Sequence, residues 1–241
     1  MSTEVSNKID SPRPIANWQT LLMGAAAIIA GTLLSAVVLP NFLPGLTASV
    51  LGDSPKAYWY LSRGSAMVAF ILLWMSMALG LIITNRMARI WPGGLAATDL
   101  HQYVSLLGLG LGCFHGLILL GDHYMKPDLL QIMVPFANQN YKPGWVGLGQ
   151  AAFYTWVLVL GSFYVRKWIG RRTWRWIHFL SYLTFALALI HGLMSGTDSQ
   201  NLWVSALYWF AGGSLLVLLF YRILVTIETK KNIQASPTIV K

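Results

Sequence analysis

The sequence predicts an all-α protein, an integral membrane bundle of six helices, and three observations carry that prediction. Of its 241 residues, 56% are hydrophobic and only 10% are charged, with a positive mean hydropathy. That is too apolar for a water-soluble domain of this size. Six segments reach the roughly 20 apolar residues that a bilayer core of about 30 Å demands of a helix. The basic residues then divide unequally between the two sides that six crossings create.

The segments run over 18–39, 58–84, 98–121, 146–165, 174–194 and 202–227, inside a membrane domain of 18–228. A polar, proline-bearing tail of mixed charge (1–17) precedes the first. That segment lacks the basic flank and small-residue cleavage site of a signal peptide, so it is expected to be a retained span. A short tail (229–241) follows the last. The longest connection, 122–145, contains "LLQIMVPF", expected to lie along the interface. The connections leave no room for a second folded domain. The "GLGLG" of the third span does not match a dinucleotide fingerprint, so no flavin or NAD(P)H site is expected in this chain. A single cysteine, Cys113, excludes disulfides and cysteine-based metal or iron–sulfur sites.

An even number of spans puts both termini on one side. That side holds Lys8, Arg13, Arg86, Arg89, Arg166, Lys167, Arg171, Arg172, Arg175, Arg222, Lys230, Lys231 and Lys241. The other holds only Lys56, Arg63, Lys126 and Lys142. Basic loops stay in the cytoplasm, so the termini and the connections after spans 2 and 4 are expected there. The net charge of +9 is thereby accounted for by topology, and no nucleic-acid partner is expected.

Ionisable residues inside a membrane are costly and by default point to function. Four of the five histidines fall in spans 3 and 5: His101 and His115 in one, His178 and His191 in the other. The two spans are separated by one returning helix and run in the same direction. The histidines therefore form two level pairs, His101 with His178 and His115 with His191, separated along each helix by about 20 Å at 1.5 Å per residue. Two neutral imidazoles facing across a helix pair suit the axial positions of haem iron, and apolar surroundings suit the porphyrin. Such ligation leaves no open position on the iron, which favours electron transfer. A simple metal site is disfavoured, because the pairs are too far apart to share an ion and no acid or cysteine lies level with either. The bland alternative is that the histidines merely hydrogen-bond helices together.

Two details sharpen this reading. Gly108, Gly112 and Gly116 form a ridge at intervals of four, which admits close approach by a helix or a flat ring. "HGLILLGD" from His115 and "HGLMSGTD" from His191 share a glycine after the histidine and an aspartate seven residues on. The spacing also poses a problem. Fourteen residues leave His101 and His115 on one face, whereas thirteen leave His178 and His191 about 140° apart on an ideal helix. Either Ser181 and Thr184 tighten the fifth span locally, or its two histidines point to different sides.

Six spans with "DLHQYVSLLGLGLGCFH" in the third and "RRTWRWIHFLSYLTFALALIH" in the fifth resemble the ferric reductase-like transmembrane domain. This superfamily includes the membrane halves of ferric reductases and NADPH oxidases and the haem-binding subunit of methionine sulfoxide reductase. The resemblance covers nearly the whole chain. It implies two b-type haems, an inner one between His101 and His178 and an outer one between His115 and His191. It further implies a stand-alone prokaryotic member in a bacterial inner membrane, an oxidoreductase component that takes single electrons from a separate flavoprotein or quinol and passes them to an external acceptor. A haem-binding anchor or subunit of another redox enzyme, and a non-redox scaffold or transporter, are the alternatives.

Haem propionates want cations. Arg63 near the external end of span 2, and Arg175 with Arg171 and Arg172 before span 5, are the candidates, against headgroup snorkelling and topology as their ordinary explanations. Trp174, Trp176, Tyr103, Phe114 and Phe179 flank the histidines and serve as porphyrin contacts or interface anchors. Cys113 is expected to pack. His123 with Asp122 and Asp128 is expected to form a solvated loop rather than an iron-docking site.

Overall fold

The computed structural model describes residues 17–42, 57–85, 87 and 93–235. The connection carrying Arg86 and Arg89, and the residues carrying Lys8, Arg13, Lys56 and Lys241, lie outside the described residues. The elements are α1 (Trp18–Phe42), α2 (Ala57–Thr84), α3 (Gly94–Ile118, continued by a 3-10 turn, Leu119–Gly121), α4 (Leu129–Met133), α5 (Pro143–Ser195) and α6 (Leu202–Ala235). Among the described residues there is no strand.

Four of these helices are long and apolar enough to cross a membrane: α2, α3 with its terminal turn, α5 and α6. A shorter apolar stretch, Trp18–Gly31, lies in α1. Hydroxyl side chains within the helices turn back onto carbonyls one turn earlier, as Thr84 does on Gly80 (2.6 Å) and Thr98 on Gly94 (2.8 Å). Their polar atoms are thereby satisfied without water. Large apolar side chains face outward, among them Leu95 (86% exposed), Trp203 (82%) and Phe220 (62%). Such a surface suits lipid.

α5 is 53 residues long. Drawn straight it would extend about 80 Å, far beyond any bilayer core. It folds back at Gly170, its one residue with non-helical backbone angles (φ 79°, ψ 156°). That conformation is open to glycine and strained for other residues. The arms 143–169 and 171–195 return alongside each other, tied by Thr184 Oγ1 donating to Thr155 Oγ1 (3.0 Å) and by the Tyr141 hydroxyl donating to the Ser195 carbonyl (2.9 Å). The sequence predicts a loop over 166–173. The structure keeps helical turns up to and beyond a single glycine, because the arginines and lysine flanking it are good helix formers. Pro143 opens the helix at a position where its missing N–H costs nothing.

α2 is the central element. Its buried Phe70, Leu73, Met77 and Leu81 join Trp156 and Phe185 of α5 and Tyr208, Ala211 and Leu215 of α6 in one core. Phe70 stacks on Phe185 (5.7 Å between ring centres, 26°) and meets Tyr208 edge-on (4.8 Å). Trp74 Nε1 donates to Ser214 Oγ (2.9 Å) and fastens α6 to α2. The other side of α2 carries α3, packed antiparallel along its length. α2 and α3 together therefore form the wall against which α5 presents its second arm.

Candidate functional site: two levels of paired histidines

The four intramembrane histidines meet in the two pairs expected. The ring centres of His101 and His178 lie 6.3 Å apart with their planes at 72°, and those of His115 and His191 lie 6.2 Å apart at 66°. Two unrelated packing contacts would have no reason to agree so closely in separation and tilt.

The orientation of each ring is set from behind. His115 Nδ1 lies 2.9 Å from the Ser62 carbonyl, His101 Nδ1 lies 2.9 Å from the Ser76 carbonyl, and His191 Nδ1 lies 2.8 Å from the Trp145 carbonyl. A carbonyl oxygen only accepts, so in each case Nδ1 carries the proton and Nε2 keeps a free lone pair. Fixing a ring through Nδ1 while freeing Nε2 is how proteins prepare a histidine to ligate a metal. The serine hydroxyls add to it: Ser62 Oγ donates to the His115 carbonyl (3.1 Å), while Ser76 Oγ meets Ser105 Oγ (2.6 Å), which in turn donates to the His101 carbonyl (2.6 Å). His178 is held differently. Its ring lies 5.3 Å from Trp174, tilted by 32°, and makes no hydrogen bond among the described residues.

Ser62 and Ser76 were not singled out in the sequence, yet a signal for them was present. They are fourteen residues apart, as are His101 and His115, and on antiparallel helices that equal spacing sets one serine opposite each histidine.

The spacing problem of the fifth span resolves in favour of its second solution. From 171 to 195 the backbone angles are helical throughout, so the helix is not tightened, even though Thr184 Oγ1 donates to the Leu180 carbonyl (3.1 Å). The two imidazoles leave it on different sides, and His191 turns towards the first arm of α5. Gly149 makes room for it there: a Cβ at this position would stand 2.5 Å from His191 Nδ1. The glycine ridge of α3 is also approached closely, by aromatic side chains. A Cβ at Gly108 would lie 2.8 Å from the Trp156 ring, and one at Gly112 would meet Phe153 at 3.8 Å.

The His115–His191 pair opens into a cavity of about 400 Å³ that also touches Ser62, Arg63, Gly149 and Asp198. Residues 122–142 cover it. Asp122 (3% exposed) accepts from the Met125 amide (2.7 Å), and Asp128 caps α4 by accepting from the Gln131 amide (2.7 Å). Both acids are thus occupied by backbone, His123 is exposed, and no cluster of three metal-binding side chains exists among the described residues. Gln150 pins the covering segment from below: its Nε2 donates to the carbonyls of Gln131 (2.7 Å) and Ile132 (2.8 Å), and its Oε1 accepts from the Phe136 amide (3.1 Å). The Tyr154 hydroxyl donates to the Met133 carbonyl. Gln150→Leu leaves those groups without partners, each loss costing about 1–3 kcal/mol. Amide exchange across 129–137 is expected to rise at least tenfold, while exchange in α2 stays unchanged.

The flanking cations and aromatics divide. Arg63 Nε donates to Asp198 Oδ2 (2.7 Å), and its guanidinium also bridges to the other carboxylate oxygen. The two aspartates of the matching octapeptides therefore do different work, Asp122 shaping the cover and Asp198 pairing with Arg63. Arg175 lines an exposed cleft with Arg172, Trp176 and Phe179, a cleft that does not include His178. Of the flanking aromatic residues, Trp174 lies against a histidine, while Tyr103, Trp176 and Phe179 are exposed. Cys113, expected to pack, is exposed as well, and it lies along the outer cavity.

No family model, curated protein or solved structure matches this chain. The functional reading therefore rests on geometry.

Proposed function

We propose that this protein is a dihaem b-type membrane cytochrome with a ferric reductase-like transmembrane domain, carrying single electrons from a cytoplasmic or membrane donor to an external acceptor. In this reading α1 and the two arms of α5 are each taken as a span, six in all, with both termini on the cytoplasmic side as the basic residues favour. The observation that carries the proposal is the pair of equal histidine separations, 6.3 and 6.2 Å, with three of the four rings anchored through Nδ1.

The residues suit the group. Imidazole nitrogens bond first-row metals at about 2 Å, and adding roughly 1 Å from nitrogen to ring centre on each side separates facing rings by about 6 Å. Two histidines alone would leave a bare ion short of ligands, whereas haem brings four nitrogens of its own. His101 and His178 would hold one haem, His115 and His191 the other. When bound, these groups supply one-electron redox chemistry.

The chain contributes the rest. It fixes the imidazole tautomers through the Ser62, Ser76 and Trp145 carbonyls, lays the 122–142 segment over the outer cavity, and holds the Arg63–Asp198 ion pair at that cavity's edge. A separate flavoprotein or quinol is the donor this reading requires.

An optical spectrum of the purified protein, oxidised and dithionite-reduced, with haem counted per chain, is the test. Two low-spin b haems are expected. A colourless protein, expressed with haem available, would overturn the proposal in favour of a scaffold whose histidines join helices.

A further inference from the structure

The second arm of α5 carries a feature that electron transfer does not use. Arg172, Arg175, Trp176 and Phe179 line one exposed cleft, at positions i, i+3, i+4 and i+7 of a regular helix, so they share a face. Trp176 is 68% exposed, Phe179 55% and Tyr182 36%. Their rings form a continuous ladder: Trp176 meets Phe179 edge-on at 6.0 Å, and Phe179 stacks on Tyr182 at 6.5 Å and 22°. The face therefore has a cationic head and an aromatic tail.

Its dimensions match a lipid. From Arg172 to Tyr182 the helix rises about 15 Å, half of the roughly 30 Å hydrocarbon core and the depth of one leaflet. The arginines sit just past the reversal at Gly170, where a membrane-crossing hairpin would meet the headgroups. Among the described residues neither arginine forms an ion pair with a carboxylate, and the pair of Arg63 with Asp198 lies far from this face. The rule that basic loops stay in the cytoplasm accounts for positive charge at this end. It does not account for two arginines aligned directly above a stacked aromatic strip.

We propose that this face binds one anionic phospholipid, its phosphate between Arg172 and Arg175 and an acyl chain along Trp176, Phe179 and Tyr182. Guanidinium groups pair with phosphate oxygens through charge-assisted hydrogen bonds, and a zwitterionic headgroup would offset that attraction with its own cation. The inference rests on insertion of α5 in a bilayer and is independent of haem.

The full-length protein in nanodiscs of phosphatidylcholine with a minor fraction of phosphatidylglycerol, released into native mass spectrometry, provides the test. Wild-type protein is expected to retain one phosphatidylglycerol. R172Q/R175Q should bind it roughly 30-fold more weakly, from about a fivefold attraction per cation. The charge-matched K167Q/R171Q should bind as wild type, and W176A/F179A should lose lipid retention with both arginines intact. All three are checked for unchanged helicity and elution volume, and conservative R172K/R175K replacement keeps the site partly occupied should the glutamine variant fail to fold. Equal retention of phosphatidylcholine and phosphatidylglycerol would overturn the proposal, as would equal losses in R172Q/R175Q and K167Q/R171Q. Binding of an acidic protein at these arginines, with no lipid retained in its absence, would overturn it too and assign the face to a protein partner.

Discussion

His191→Ala is expected to lower the haem content of the purified protein from two per chain to one, with the remaining haem still low-spin. His115→Ala should give the same spectrum, because each removes one of two imidazoles that face each other at 6.2 Å. His101→Ala and His178→Ala should instead remove the other haem, whose pair lies at 6.3 Å. An outer partner of a metal ligand is already worth about 10–100-fold in affinity, and loss of the ligand itself exceeds that. The levels are separated by about 20 Å of helix, far enough for their contributions to be independent. The surviving haem in each variant doubles as a report on folding. Loss of both haems from a protein that keeps its helicity, or retention of both, would sink the assignment of pairs.

The second large effect comes from a residue with no side chain. Gly149→Ala is expected to empty the His115–His191 level while leaving the His101–His178 level filled. The new methyl would lie 2.5 Å from His191 Nδ1 and 2.7 Å from two ring carbons, and the ring cannot yield without giving up the Trp145 carbonyl behind it. Overpacking of this kind costs about 1–3 kcal/mol, or roughly 5- to 150-fold in affinity for whatever the ring ligates. Gly161→Ala on the same arm is the control. Nothing lies within 4 Å of its added carbon, so it should bind two haems and stabilise the helix by up to about 1 kcal/mol. A Gly149→Ala protein with an unaltered spectrum would show that His191 is not held where the structure puts it.

What could be read from the sequence follows from what leaves a trace in side chains. Long apolar segments and histidines inside them are conspicuous, so the four long apolar helices and both histidine pairs were legible. Gln150 was legible in principle, as an amide in an otherwise apolar run, and the serines through their fourteen-residue interval. The Trp145 carbonyl was not, since every residue has one and only folding selects which of them faces an imidazole. Gly149 stands among several glycines, and nothing in the chain distinguishes the one beside a ring from Gly161 beside nothing. The sequence places a connection over 166–173 because the apolar runs end there, whereas arginine and lysine sustain helical turns up to Gly170 and beyond it. The splayed directions of His178 and His191 were foreseen as one of two solutions, and only the arrangement of neighbouring helices chooses between them.

The antiparallel union of α2 and α3 has a consequence for biogenesis. These adjacent helices already own one imidazole from each level, His101 and His115, each locked by a serine of the preceding helix. α5 alone delivers both of the others. A nascent chain with α2 and α3 inserted thus displays two half-sites, and the return of α5 about Gly170 completes both in a single closure. Pigment captured at either level would then latch the same helix. The core that α2 shares with α5 and α6 holds those helices by packing, so either level would fill while the other stays empty.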